Sequence, residues 1–250
     1  MIGIFDSGVG GLSVFREIFK LLPEEKYIYF SDNAYCPYGE KSRESIIGRA
    51  REITGFLLSK GCDIIVVACN TATAAAISTL REEFPVSFIG MEPAIKPAAK
   101  ATRTGVVGVL ATAGTLKATK YIDTCAKWAQ DVKVVEHIGQ GFVELVESGK
   151  ISGPWAEKTV AESLMPLLEA GADTIVLGCT HYPFLSETIA KVAAENTERQ
   201  VGIIDPAPAV AKHLKDTMEE YGLIRKDGFN IELHSSGSPD TLLNTYAHLI

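Results

Sequence analysis

The chain has 250 residues, 46% hydrophobic and 22% charged, with a formal net charge of −7. This is a globular rather than a disordered balance, and an acidic surplus with no basic tail or basic-aromatic run works against sequence-independent binding to nucleic acid, so no nucleic-acid partner is expected. No stretch reaches the roughly 18 apolar residues of a membrane span, and no basic leader or cleavage site precedes the first strand, so the expectation is a cytoplasmic protein without a membrane partner.

Short β-branched runs alternate with helical segments, the pattern of a mostly parallel sheet. The first set of strands is expected at Ile2 to Asp6, Tyr27 to Ser31, Asp63 to Ala68 and Val86 to Gly90. The run Asp6-Ser7-Gly8-Val9-Gly10-Gly11 follows the first of them. It invites a dinucleotide reading, with Asp32 about where a ribose-binding acid would fall. However, Ser13 stands in place of the third glycine, and Asp6 is an awkward neighbour for a pyrophosphate. A tight turn whose Ser7 hydroxyl and amides meet a small ligand is the preferred reading. Pro37-Tyr38-Gly39 forms a loop after the second strand, with Tyr38 placed to bound a pocket. A helix over Arg43 to Ser59 ends at Gly61.

A second set of strands is expected at Thr104 to Leu110, Val132 to His137, Thr174 to Gly178 and Val201 to Asp205. The helix Trp155 to Glu169 ends at Gly171, and Pro154 sits suitably at its start. A last strand, Phe229 to His234, is expected to close the first sheet.

Residues 57 to 71 align with residues 167 to 181 at a constant offset of 110. Leu57, Leu58, Gly61, Asp63, Ile65, Val66 and Cys69 fall on Leu167, Leu168, Gly171, Asp173, Ile175, Val176 and Cys179. A weaker echo pairs Ile2-Gly3-Ile4-Phe5-Asp6-Ser7 with Val107-Gly108-Val109-Leu110-Ala111-Thr112. Buried parallel strands resemble one another through shared valine and isoleucine, but that does not supply matched Gly, Asp and Cys. The expected fold is therefore two pseudo-symmetric, Rossmann-like α/β lobes, each a mostly parallel sheet flanked by helices, with the active site in the cleft between them. Similar exits, Glu92-Pro93-Ala94 and Asp205-Pro206-Ala207, set the boundaries: residues 1–93 and 205–250 form a discontinuous first lobe, and residues 94–204 the second.

The five cysteines carry no CxxC spacing, which argues against a disulfide framework or a structural zinc site. Cys36, Cys62 and Cys125 read as inert. Cys69 and Cys179 each follow a strand directly, at the carboxyl edge where parallel sheets place ligands. A zinc site from Cys69, Cys179 and His181 would lack a fourth ligand, and no metal is expected. Two thiols facing one carbon suit removal of a proton from one face and return from the other, with one sulfur as thiolate and one as thiol. Asp6 and His181 are the nearest groups able to tune them.

The Asp6–Gly11 run, Pro37-Tyr38-Gly39, Ala68-Cys69-Asn70-Thr71-Ala72, Gly178-Cys179-Thr180-His181-Tyr182-Pro183 and Ser235-Ser236-Gly237 together resemble the glutamate racemases, over essentially the whole chain. The resemblance implies glutamate as substrate, D-glutamate supplied to peptidoglycan, and no cofactor. It also implies that Cys69 takes the α-proton from D-glutamate and Cys179 from L-glutamate, with Asp6 assisting the first and His181 the second. Asp6, Ser7, Tyr38, Gly39, Asn70, Thr71, Thr180 and His181 would hold the substrate, Glu147 would lie near the second thiol, and the enzyme would be a homodimer. Two other readings stay open: racemisation of aspartate or another acidic amino acid, and a two-lobed amino-acid sensor without catalysis. Affinity for a nucleotide would revive the dinucleotide reading.

Overall fold

The computed structural model describes residues 1–249; residue 250, the end of the expected first lobe, lies outside the described residues. The nine strands among them are β1 (Ile2–Asp6), β2 (Lys26–Ser31), β3 (Ile64–Val67), β4 (Ser87–Gly90), β5 (Val106–Ala111), β6 (Lys133–Ile138), β7 (Thr174–Gly178), β8 (Gly202–Ile204) and β9 (Asn230–Ser235). They form two all-parallel sheets, ordered β4-β3-β1-β2-β9 and β6-β5-β7-β8. The chain divides into two compact units, one of Met1–Met91 with the stretch from Ala207 on, the other Glu92–Pro206. The last strand joins the first sheet at its edge, pairing Lys26 with Asn230 through Ser31 with Ser235. Helices connect and cover the strands, as parallel pairing requires, and none described is long and apolar enough to cross a membrane.

The repeat is carried by the internal geometry of each unit. Dropping β9, the first order becomes β4-β3-β1-β2, and the second reads β8-β7-β5-β6 in the same sense. The registers agree as well: Ile2 pairs with Ile64 and, at the matched positions, Val107 pairs with Thr174.

The matched residues explain why. The helix Arg43–Ser59 ends when Gly61 turns left-handed (φ +85°), with the Gly61 amide donating to Leu58 O and the Cys62 amide to Leu57 O. The helix Pro154–Glu169 ends identically: Gly171 has φ +97°, its amide donates to Leu168 O, and the Ala172 amide donates to Leu167 O. This paired closure satisfies carbonyls that a helix end leaves open. Next comes the shared aspartate. Asp63 accepts from the N-terminal ammonium at 2.7 Å and from Arg225 at 3.0 Å. Asp173 accepts from the Thr102 hydroxyl at 2.6 Å and from the amides of Arg103 and Thr104 at 2.7 and 3.0 Å. Each carboxylate ties down the chain that enters the central strand of its sheet.

Gly3 and Gly108 occupy equivalent places in those central strands. A Cβ on Gly3 would come within 3.2 Å of Leu57, and one on Gly108 within 3.0 Å of Leu167 and 2.7 Å of Ile175. The absent side chain lets the helix lie close on the strand. In the first unit the apolar face so covered includes Phe5, Ile28, Ile53, Leu57, Ile65, Val67 and Ile77, all buried. In the second, Ile95, Ala98, Val107, Val109 and Val176 are buried together.

Candidate active site

In the first unit the site residues gather where β1 and β3 end. Asp6, fully buried, turns back to accept the Gly11 amide at Oδ2 over 2.6 Å. The buried Tyr29 hydroxyl donates to Gly8 O at 2.8 Å. These bonds close the glycine run into a tight turn and place Ser7 opposite Cys69, with Cys69 Sγ 3.8 Å from Ser7 Oγ. Cys69 has extended backbone and is the N-cap of the 14-residue helix Asn70–Glu83; its sulfur accepts the Ala72 amide at 3.4 Å. An amide donor at the positive end of a helix favours sulfur as thiolate. Asn70 and Thr71 open the helix and are buried, and Asn70 Nδ2 has no hydrogen-bond partner among the described residues.

Tyr38 and Gly39 lie in a single 3-10 turn, Tyr38–Glu40. Tyr38 is buried in the same apolar cluster as Cys69. Its hydroxyl donates to Asp32 Oδ2 at 2.5 Å. Asp32 itself is fully buried and receives both Arg49 Nε (2.9 Å) and Arg49 Nη2 (2.7 Å). So Asp32, considered above as a ribose ligand, is an internal anchor. Burial, followed by the bond to Asp32, pushes the Tyr38 phenol well above its ordinary range. Tyr38 therefore stays protonated and does not compete with the thiol as a base.

In the second unit Cys179 follows β7 but does not cap an α-helix. Pro183 has no amide hydrogen, and the turn closes instead by the Tyr182 amide donating to Cys179 O at 3.1 Å, opening the 3-10 helix Tyr182–Leu185. Of the two thiols, the one at an α-helix terminus is thus Cys69. Cys179 has a different partner set: its sulfur lies 3.8 Å from His181 Nδ1, and His181 Nε2 lies 2.7 Å from Glu147 Oε1. Glu147 is the last residue of the helix Phe142–Glu147. With Nε2–H donating to the carboxylate, Nδ1 is left to accept a proton from sulfur, an arrangement of reactive group, base and orienting acid. Thr180 and His181 are buried beside Cys179.

Tyr182 closes this half from below. It is buried, stacks edge-on against Phe142 with centroids 4.9 Å apart, and donates its hydroxyl to Gly139 O at 3.3 Å. Burial first, and then the charge of Cys179, hold its phenol far above the ordinary range. A Cβ on Gly139 would meet the Tyr182 hydroxyl at 2.5 Å. Arg49 and Gly139 carried no signal in the sequence, since both read as ordinary helix-surface and loop positions. Of the remaining cysteines, Cys62 is a buried packing residue whose thiol burial pushes up to about 11.

Residues 2–214 match the family model described as Asp/Glu/Hydantoin racemase. A glutamate racemase from Herpetosiphon aurantiacus is 48% identical over 240 residues, covering 95% of this chain and 93% of its own. Among solved structures, Escherichia coli glutamate racemase in complex with L-glutamate and the activator UDP-MurNAc-Ala superposes with TM-score 0.88 at 34% identity, covering 99% of this chain and 94% of its own. The Francisella tularensis glutamate racemase in complex with D-glutamate gives TM-score 0.84 at 30% identity, covering 99% and 92%. With a matching model over most of its length and close relatives over nearly all of it, the chain belongs to the aspartate/glutamate/hydantoin racemase family.

Proposed function

We propose that the protein is a glutamate racemase, interconverting L- and D-glutamate by proton transfer through Cys69 and Cys179. One observation carries this reading: two buried thiols occupy the same position in two repeated units, and each has a different group able to set its proton. The relatives named above, solved with L-glutamate and with D-glutamate, support the substrate.

The chemistry requires opposite protonation states at the start. From L-glutamate, the Cys179 thiolate removes the α-proton and becomes a thiol. The carbanion is re-protonated on its other face by the Cys69 thiol, which becomes a thiolate, and from D-glutamate the roles reverse. His181 carries the Cys179 proton between turnovers while Glu147 balances the imidazolium charge. Asp6 assists on the Cys69 side. Asn70 Nδ2, a buried donor, suits a substrate carboxylate oxygen, as do the Ser7, Thr71 and Thr180 hydroxyls; Tyr38 and Gly39 bound the same half. Abstraction and return use only protein thiols, so the step needs no added cofactor. The same reading makes the protein a cytoplasmic homodimer supplying D-glutamate to peptidoglycan.

The test is α-proton exchange in deuterium oxide with protein alone. Each glutamate enantiomer gains deuterium at Cα and loses optical purity, and Cys69→Ser or Cys179→Ser abolishes interconversion. Turnover of aspartate in preference to glutamate would move the assignment within the family. Binding of glutamate without exchange would make the protein a sensor.

A further inference from the structure

Asp32, Arg49 and Tyr38 form a cluster with no part in the proposed proton transfer: Asp32 and Tyr38 are buried, Arg49 is half-buried, and Tyr38 shares the apolar cluster of Cys69. Asp32 follows β2, Tyr38 lies in the next turn, and Arg49 projects from the helix Arg43–Ser59, so three separate segments meet in one cluster. The guanidinium grips Asp32 with two parallel bonds of 2.9 and 2.7 Å and stacks 4.1 Å from the Tyr35 ring centroid. A fork of this kind fixes orientation as well as charge. The remaining capacity of Asp32 Oδ2 is taken by the Tyr38 hydroxyl. Tyr38 is 2% exposed, and Cys69, in the same cluster, is 5% exposed.

We propose that Arg49 is a positioning residue: through Asp32 it holds the Tyr38–Glu40 turn against Cys69, and so sets both the shielding of that thiol and the placement of Tyr38 and Gly39 for substrate. The second half of this statement rests on the reading that Tyr38 and Gly39 meet glutamate. The first half does not, and can be measured without turnover.

The test therefore has two readouts. The first is the rate of iodoacetamide alkylation at each cysteine, followed by peptide mass spectrometry. In Arg49→Gln the Cys69 rate rises about tenfold, while Cys62, buried in the same unit, and Cys179, in the other, keep their wild-type rates. Since Arg49→Gln strands a buried carboxylate, the double variant Asp32→Asn/Arg49→Gln is measured beside it; it removes both charges and shows the same direction. The second readout is steady-state racemisation. KM rises about tenfold for both enantiomers, kcat stays within about threefold, and Arg49→Lys, which keeps the charge but not the fork, lies between. A wild-type Cys69 rate in either folded variant overturns the proposal, as does a Cys62 rate that rises in step with Cys69, which would mean general loosening. Altered Cys69 shielding with no racemisation in the wild type sinks the glutamate reading and leaves the clamp standing. Altered shielding with unchanged KM overturns the role in substrate placement.

Discussion

His181 Nε2 and Glu147 Oε1 lie 2.7 Å apart, and the other nitrogen of the same ring faces Cys179 at 3.8 Å. The carboxylate fixes which nitrogen carries hydrogen, and so which nitrogen can exchange a proton with sulfur. At Cys69 an amide of the helix end serves the sulfur directly. The two thiols are equivalent in the repeat and differ in what surrounds them.

In the proposed mechanism, replacing Glu147 by Gln removes the charge that balances imidazolium while keeping the shape. A positioned acid–base partner contributes roughly 10²-fold or more. Because the equilibrium constant between enantiomers is unity, kcat/KM must fall by the same factor in both directions even though only the Cys179 side is altered. The expected loss is about 10²-fold with an unchanged melting temperature, read by polarimetry from each enantiomer. Rates within twofold of wild type would remove Glu147 from the mechanism.

Asp173 gives a pH-dependent stability test. Burial acts to raise its pKa, but bonds from the Thr102 hydroxyl and the Arg103 and Thr104 amides outweigh it, and the pKa lies below the ordinary carboxylate value. A depressed folded-state pKa stabilises above the unfolded value and loses that contribution as pH falls through the folded one. Asp173→Asn is expected to cost about 1–3 kcal/mol at neutral pH. The gap from wild type should stay constant above pH ~5 and narrow below pH ~4 in urea unfolding. A gap that widens on acidification would refute the sign.

The two strand glycines test the repeat by packing alone. Gly108→Ala places a methyl 2.7 Å from Ile175, whereas Gly3→Ala meets its nearest atom, Cys62 Sγ, at 3.1 Å. Overpacking of this kind costs about 1–3 kcal/mol. Gly108→Ala should fall at the upper end and Gly3→Ala at the lower, measured by chemical denaturation. Equal, negligible costs would show that the helices are free to shift.

Asn33 joins the segment after β2 to the end of β9. Its Oδ1 accepts from Ser235 Oγ at 2.7 Å and the Gly237 amide at 2.8 Å, and its Nδ2 donates to Ser238 O at 2.8 Å. Asn33→Ala should leave β1 amide exchange unchanged and accelerate exchange in Asn230–Ser235 about tenfold. Uniform acceleration across the sheet would instead mean global destabilisation.

What the sequence determined by itself was the part written in local order. Glycines that end helices, aspartates that precede strands and cysteines that follow them recur at one fixed offset, and the glycine turns close on carbonyls only a few residues back. Strand alternation, the two parallel sheets and the matched placement of the two cysteines follow from that. The tertiary structure decided which side chains meet across long separations: Arg49 with Asp32, 17 residues apart, His181 with Glu147, 34 apart, and Ser235 with Asn33, 202 apart. No spacing rule encodes these pairs, because a helix-surface arginine or a helix-end glutamate looks the same whether it faces water or a buried partner. The different surroundings of the two thiols were hidden for a similar reason. Pro183 diverts the chain after Cys179 into a 3-10 turn while Asn70 begins a true helix, and only the folded backbone shows that the helix-end amide belongs to Cys69.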